Sequence, residues 1–314
     1  MTKIPEIDAR FVDIGDLPTG FAPYSFKQLY VREFTLAELK LLYIGMHSKQ
    51  NPLSHIIRAI QMCCSIPVME LTDGDFEFLM AWLRKSSYPK APLQVNWTCR
   101  HTNIVYKDNR TFYRGPPIDD RQMALGNMEY EQCDTNNVET VQAYSTQIES
   151  LDDERLHITD NRFDFPRVNT LSDFHAHIEE HPHEKHMAEC ARWIKRGKNF
   201  REKFMYLMTR PDNDLYEEIL ELRKLYHHGI VEKMSLRCRV CDHRWTHFAA
   251  PRLLSFFADN SEEDIFKIMY NLLSEFGMQP DMSHPAKLVL FTYSSLAKDR
   301  QEAANRKGGF KPLA

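Results

Sequence analysis

The sequence predicts an α+β fold that is mostly helical and carries one small zinc-ribbon-like β element formed from two distant cysteine segments. Apolar residues recur at helical spacing over most of the chain, whereas apolar and polar residues alternate over residues 93–99, as in a half-buried strand. The stretch SLRCRVCDHRW, residues 235–245, places Cys238 and Cys241 between two strand-like runs. A C-x-x-C pair at the tip of a hairpin is typical of one half of a zinc site.

Residues 1–33 are expected to form an extended arm. The arm contains three prolines with aromatic residues interleaved: Pro5, Pro18, Pro23, Phe11, Phe21, Tyr24, Phe26 and Tyr30. A free terminus rarely exposes so many apolar rings, so the arm is expected to lie on a partner. Phe21, Tyr24 and Phe26 are the candidate partner-binding residues.

Residues 34–90 are expected to form an N-terminal helical unit. Thr35 and Glu38 have the spacing of a capping box, which predicts that the first helix starts there. A second helix is predicted in the segment LSHIIRAIQMCC. Thr72 is a suitable N-cap for a third helix.

Residues 91–170 are expected to hold the first half of the cysteine site. A strand runs from Leu93 to Cys99, and a second strand candidate, NNVETVQAY, follows Cys133. Between them, residues 103–130 show no sustained period and contain a Gly-Pro-Pro turn at residues 115–117. This stretch is predicted to be an insertion.

Residues 171–258 and 259–314 complete the predicted order of segments. Residues 171–258 are expected to be helical up to Tyr226 and then to form the hairpin that carries Cys238 and Cys241, which we call the second knuckle. Residues 259–314 should contain two helices, one starting at Ser261 and stopping at Gly277, before a basic tail with glycines at residues 308–309. Such a tail fits binding to neighbouring subunits.

Composition restricts the class of protein. With 314 residues, 43% hydrophobic and 27% charged, the chain has ordinary globular usage and is long enough for two modest domains. The net charge of -4 argues against duplex DNA as the main partner. No signal peptide or membrane span is predicted, so we expect a soluble protein made in the cytosol.

The seven cysteines favour a metal over disulfides. In a reducing compartment a close cysteine pair is better read as metal-binding. A closed structural zinc site needs four ligands, so Cys238 and Cys241 require a second half-site. Cys99 and Cys133 are candidates, and His101 is an alternative ligand. The expected cofactor is one structural zinc ion.

A histidine-rich segment supplies the competing enzymatic hypothesis. His175 and His177 form an H-x-H pair, and together with Asp173 they could serve a metal-dependent hydrolase. Their surroundings have helical spacing, which would turn the two histidines to different sides. No G-x-S-x-G, Walker or G-x-G-x-x-G motif is present, so no catalytic set is predicted. A zinc-ribbon protein that binds nucleic acid is a further alternative, although little basic clustering surrounds Cys238.

Several segments together resemble the baseplate hub family of T4-type contractile phages. They occur in the family's order over residues 17–99, 131–172 and 215–258, and they read LPTGFAPYSFKQLYVREFTLAELKLL, LQVNWTC, ITDNRFDFPRV and MSLRCRVCDHRWTHFAAPRLLSFF. The chain departs from the pattern where the first C-x-x-C would place a cysteine at Thr102. We favour Cys133 as the displaced ligand, because the residues after it continue as a strand.

The resemblance implies a structural role. Such a protein would be a component or an assembly factor of the baseplate hub, without enzymatic turnover. Its partners would be other hub and tail proteins, and self-association is also considered; membrane and nucleic acid are not expected partners. It would be found in the host cytoplasm during assembly and then in the tail baseplate of the virion.

Overall fold

The computed structural model describes residues 10–47, 52–87, 93–99, 101–108, 111–114, 128–141, 148–209, 213–230, 233–248 and 261–308. The chain divides into two compact units. Unit 1 comprises Met1–Lys90, Thr146–Val231 and Arg252–Ala314, and unit 2 comprises Ala91–Ser145 and Glu232–Pro251. Unit 2 therefore contains both predicted cysteine segments. The remaining parts of the predicted segments 91–170 and 171–258 belong to unit 1.

The fold is mostly helical with small antiparallel sheets. Unit 1 contains nine helices within the described ranges: α1 Leu36–His47, α2 Pro52–Met62, α3 Asp73–Ser87, α4 Leu171–Glu180, α5 Lys185–Ala191, α6 Phe200–Met208, α7 Asn213–Leu225, α8 Ser261–Phe276 and α9 Ala286–Gly308. Within these ranges, no helix is both long and apolar enough to cross a membrane.

Within the described ranges, the strands pair in short antiparallel sheets. Unit 1 has β1 Val12–Asp13 with β2 Tyr30–Val31, and β8 Ile148–Glu149 with β9 Gly229–Ile230. Unit 2 contains β3 Leu93–Thr98, β4 Thr102–Asp108, β5 Thr111–Arg114, β6 Met128–Gln132, β7 Asn136–Val141, β10 Lys233–Arg237 and β11 Arg244–Phe248. The strand predicted before Cys99 is thus confirmed, and so is the strand predicted after Cys133 up to Val141, beyond which its residues lie outside the described ranges.

Helix α1 begins where the capping box predicts. The carboxylate of Glu38 accepts hydrogen bonds from the backbone N–H and the hydroxyl of Thr35, at 2.7 and 2.6 Å. Arg32 adds a bidentate ion pair to the same carboxylate. The helix then buries Leu39 and Leu42 completely. Local capping and an apolar face therefore act together at this helix.

The aromatic arm is not an exposed arm in the structure. Phe21 and Tyr24 are 4% and 7% exposed, and Phe26 is half-buried with its ring stacked on Tyr24 at 4.7 Å. The hydroxyl of Tyr24 accepts from the N–H of Thr72 and donates to the buried carboxylate of Asp75. The expectation that these rings bind a partner is corrected for Phe21 and Tyr24, because both side chains are already buried within unit 1.

The described residues of the predicted insertion 103–130 form β-strands, although this stretch of sequence shows no sustained period. These strands, β4, β5 and β6, make a three-stranded sheet in the order β5-β4-β6. The Gly-Pro-Pro turn lies outside the described residues, as do residues 1–9 of the arm, residues 249–260 after the second knuckle, and residues 309–314 of the tail.

Candidate metal centre

The first half of the centre is built on one long antiparallel strand pair. The β3–β7 ladder ends at Thr98 opposite Asn136, and the β4–β6 ladder starts at Thr102 opposite Gln132. Three residues intervene on each strand, 99–101 and 133–135, so both ladders keep the same register. The N–H of Cys99 donates to the carbonyl of Thr135, and the N–H of Cys133 donates to that of His101, each at 2.9 Å.

This register explains how two cysteines 34 positions apart in the sequence meet. Residues opposite each other in an antiparallel pair share one face, and so do residues two apart on one strand. Cys99 lies opposite Thr135, two residues from Cys133, so both cysteines lie on the same face. The stretch between them extends the strand pair beyond the site.

The second half is the loop that joins β10 and β11. The strands pair from Lys233–Phe248 to Arg237–Arg244, which leaves residues 238–243 as the loop. The N–H of Cys238 donates to the carbonyl of His243 at 2.9 Å. Asp242 has a φ of 59°, a left-handed conformation that Asp tolerates, and this reverses the chain directly after Cys241. The predicted hairpin tip is confirmed.

The four sulfur atoms meet in unit 2. Cys99, Cys133, Cys238 and Cys241 each bring their Sγ within 4.8 Å of the others, and the first three are buried. The Sγ–Sγ distance is 3.6 Å from Cys99 to Cys241 and 3.8 Å from Cys133 to Cys238. All four are free thiols. These residues could bind a metal ion.

The sulfur spacing fits a tetrahedral metal site. With zinc–sulfur bonds of about 2.3 Å, tetrahedral geometry separates the sulfurs by about 3.8 Å. A disulfide instead requires sulfurs at about 2.05 Å, so neither pair has that geometry. Thiolates are soft ligands, and four of them select zinc or an iron–sulfur centre over magnesium or calcium.

The electrostatics of the cluster also favour a cation. Burial and hydrogen bonds with the other three thiols raise the pKa of Cys99 to about 12. Burial works against ionisation of Cys238 as well, but the N–H groups of Cys241 and Val240 and the side chain of Asn137 lower the pKa of Cys238 to about 6. One thiolate is thus stabilised while a neighbouring thiol stays protonated. A divalent cation would allow all four to ionise together.

Asn137 is a site residue that the sequence analysis missed. Its side chain is buried, and its amide nitrogen donates to the carbonyl of Thr135 at 2.9 Å and lies 3.7 Å from Cys238 Sγ. Its side-chain oxygen accepts from the N–H of Arg239 at 3.2 Å. An asparagine at the start of a strand carries no distinctive pattern, so only the contact between the half-sites reveals it.

His101 is not among the grouped ligands. Its ring stacks on His243 with centroids 3.7 Å apart and an angle of 14° between the ring planes. The alternative ligand set with His101 therefore does not correspond to the observed group. Each of these histidines follows a cysteine of the cluster by two residues.

The histidine-rich segment forms no comparable site. His177 bonds the carboxylate of Glu184 at 2.8 Å and packs on Phe204, while burial and the charge of Arg192 lower the pKa of His175. Asp173 is exposed. Across the described parts of the chain, the four cysteines are the one group of three or more potential ligands that lie together. The structure does not bring His175, His177 and Asp173 together.

Compared with protein-family models, with curated proteins and with solved structures, the chain matches none of them. The fold and the site define a mostly helical chain with a four-cysteine candidate metal centre in a small β unit.

Proposed function

We propose that this chain is a non-catalytic structural or assembly protein of the baseplate hub of a contractile-tailed phage, stabilised by one structural zinc ion. The observation that carries the zinc proposal is the meeting of four cysteine sulfurs within 4.8 Å. Four protein ligands leave no open position on a tetrahedral ion, which is the arrangement of structural rather than catalytic zinc.

Unit 2 has a physical need for such an ion. Its described strands form sheets of only two or three strands. Isolated two-stranded hairpins are marginal in water. Among the residues of this unit whose burial the structure describes, Cys99, Cys133 and Cys238 form a buried cluster, with Cys241 packed against them. A metal bound there would join the strand pair to the β10–β11 hairpin, and its binding free energy would become folding free energy.

The hub assignment is supported by the resemblance of three ordered blocks of sequence. It predicts action through contacts with partner proteins. With Phe21 and Tyr24 buried, large exposed apolar rings occur instead on the C-terminal helices, where Tyr270 and Phe291 are 71% and 70% exposed. Exposed aromatic rings of this size are common at protein interfaces.

Metal analysis tests the zinc proposal. Freshly purified, reduced protein should contain about one zinc per chain, and cobalt substitution should give the intense absorption of tetrahedral cobalt thiolate. A Cys238→Ser variant is the matched control and should lose both signals. Metal-free protein with an unchanged fold would contradict the proposal, and iron in place of zinc would assign an iron–sulfur centre.

Quantitative mass spectrometry tests the hub role separately. Purified virions and unfinished tails should contain this chain in a fixed ratio to the hub proteins. Presence in both would make it a component, and presence only in unfinished tails would make it an assembly factor. Absence from both would contradict the hub assignment and leave the metal centre unaffected.

A further inference from the structure

Unit 1 contains a cavity of about 340 Å³ that lies among the segment 161–163, the segment 194–196 and helices α6 and α7. The two segments are joined by an antiparallel bridge between Phe163 and Ile194 and by a hydrogen bond from the N–H of Lys195 to the carbonyl of Arg162 at 2.9 Å. The cavity walls are thus held by backbone pairing, and its size is that of a small binding pocket.

The inner surface of the cavity is apolar. Phe163, Ile194 and Leu215 line it and are 4%, 2% and 7% exposed. Tyr206 forms an aromatic wall, and the guanidinium of Arg196 lies 5.1 Å from the centre of its ring. An apolar or aromatic group could enter this space and lie beside a cation.

The exposed edge of the cavity is cationic. Arg162, Lys195 and Arg196 line it and are exposed. Arg162 already pairs with Asp160 at 2.7 Å and with Glu218 at 2.8 Å. Neither Lys195 nor Arg196 forms an ion pair within the ranges that the structure describes. Two cations that have no carboxylate partner within the described ranges therefore lie beside an apolar cavity.

We propose that this cavity binds an acidic peptide segment of a partner protein, with an apolar side chain inside it and carboxylates on Lys195 and Arg196. Asp160 and Glu218 border the same edge and would repel the dense charge of a nucleic-acid backbone, whereas one or two carboxylates match the two available cations. The proposal goes beyond the hub role and does not depend on the cysteine cluster, which lies in unit 2.

Three synthetic peptides test the proposal on the full chain. The probe is acetyl-Asp-Phe-Glu-amide, whose two carboxylates match the two cations; a neutral analogue replaces its acids by Asn and Gln, and another replaces its Phe by Ala. The acidic Phe peptide should bind at least about tenfold more tightly than either analogue in calorimetric titration, because both the ring and the charges contribute. Its affinity should fall as salt is added.

Two double variants localise the site. Lys195→Gln with Arg196→Gln should abolish the preference for the acidic peptide. Lys198→Gln with Arg201→Gln removes the same charge from exposed residues outside the cavity lining and should preserve it. Circular dichroism should show that both variants are folded. Equal binding of the three peptides, equal loss in both variants, or no binding would overturn the proposal. Tighter binding of single-stranded DNA that is lost in the first variant would assign a nucleic-acid site instead.

Discussion

The side-chain nitrogen of Asn137 lies 3.7 Å from the Sγ of Cys238, a residue 101 positions later in the chain. The oxygen of the same amide accepts from the N–H of Arg239. One buried side chain therefore contacts both halves of the candidate metal centre. Groups that hydrogen-bond the ligands of a metal orient them and tune their affinity.

Replacing Asn137 by Ala should weaken metal retention. The variant removes the contact to Cys238 and leaves the Arg239 N–H without this acceptor, so we expect a loss of about 10- to 100-fold in zinc affinity. Competition with a chromophoric chelator measures it. Asn169→Ala, at an exposed position in unit 1, should retain the wild-type affinity. Equal affinities of the two variants would show that Asn137 does not support the site.

Two cysteine substitutions should differ sharply. Cys238→Ser opens the metal site and should cost several kcal/mol of stability, about the scale seen when a structural metal is lost. Cys190→Ser changes a buried thiol of helix α5 in unit 1 and should leave bound zinc unchanged. Thermal unfolding together with metal content distinguishes them. Equal metal loss in both would mean that the ligands are wrongly chosen.

The strand pair beyond the site should be dispensable for metal binding. Opposed residues in an antiparallel ladder alternate between hydrogen-bonded and non-hydrogen-bonded pairs. Cys99 with Thr135 and His101 with Cys133 are hydrogen-bonded, so Asn103 and Glu131 form the next hydrogen-bonded pair. A two-residue turn can close such a pair. Replacing residues 104–130 by Asn-Gly should therefore keep zinc content near that of the wild type. Insoluble or metal-free protein would show that the three-stranded sheet is needed.

A change of register at the same place should have the opposite effect. One alanine inserted between Gln132 and Cys133 would turn Cys133 to the other face of the strand pair, since side chains alternate with a period of two. Zinc content should fall to that of Cys238→Ser. Retained zinc would mean that Cys133 is not a ligand.

The hydroxyl of Tyr24 should stabilise unit 1. It satisfies the N–H of Thr72 and the carboxylate of Asp75, both in the buried start of helix α3, so Tyr24→Phe should cost about 1–3 kcal/mol. Denaturant unfolding measures the change. Tyr30→Phe removes an exposed hydrogen bond to Gln28 and should be nearly neutral. An unchanged free energy of unfolding in Tyr24→Phe would show that the hydrogen bonds of this hydroxyl do not stabilise unit 1.

Acid should weaken the start of helix α1. Although burial favours the neutral acid, hydrogen bonds from Arg32 and Thr35 hold the pKa of Glu38 below its ordinary range. A carboxyl group whose pKa is depressed in the folded state stabilises the fold at pH values above its pKa in the unfolded chain, about 4.3. This contribution is lost as the pH falls through the pKa of the folded state. The free energy of unfolding should therefore fall less steeply in acid for Glu38→Gln than for the wild type. The exposed control Glu154→Gln should keep the wild-type slope; identical slopes in all three would contradict the role of Glu38.

The sequence by itself determined the features that depend on neighbours along the chain. The capping box of Thr35 and Glu38, the N-cap at Thr72 and the hairpin around Cys238 follow from hydrogen bonds and turns that close within a few residues. The glycine at position 277 ends α8 with a φ of 65°, as its place after the apolar pattern predicted.

Only the tertiary structure decided the rest. Tyr24 is buried with its hydroxyl on Asp75 and Thr72, about 50 positions away, and an aromatic segment has the same composition whether it covers its own chain or a partner. The pairing of Thr102 with Gln132 turns a stretch without a clear period into strands. The same register brings Cys99 and Cys133 to one face of the strand pair, and Asn137 lies next to Cys238. Strand register is set by contacts between distant segments and not by local preference, so these contacts could not be predicted from neighbouring residues.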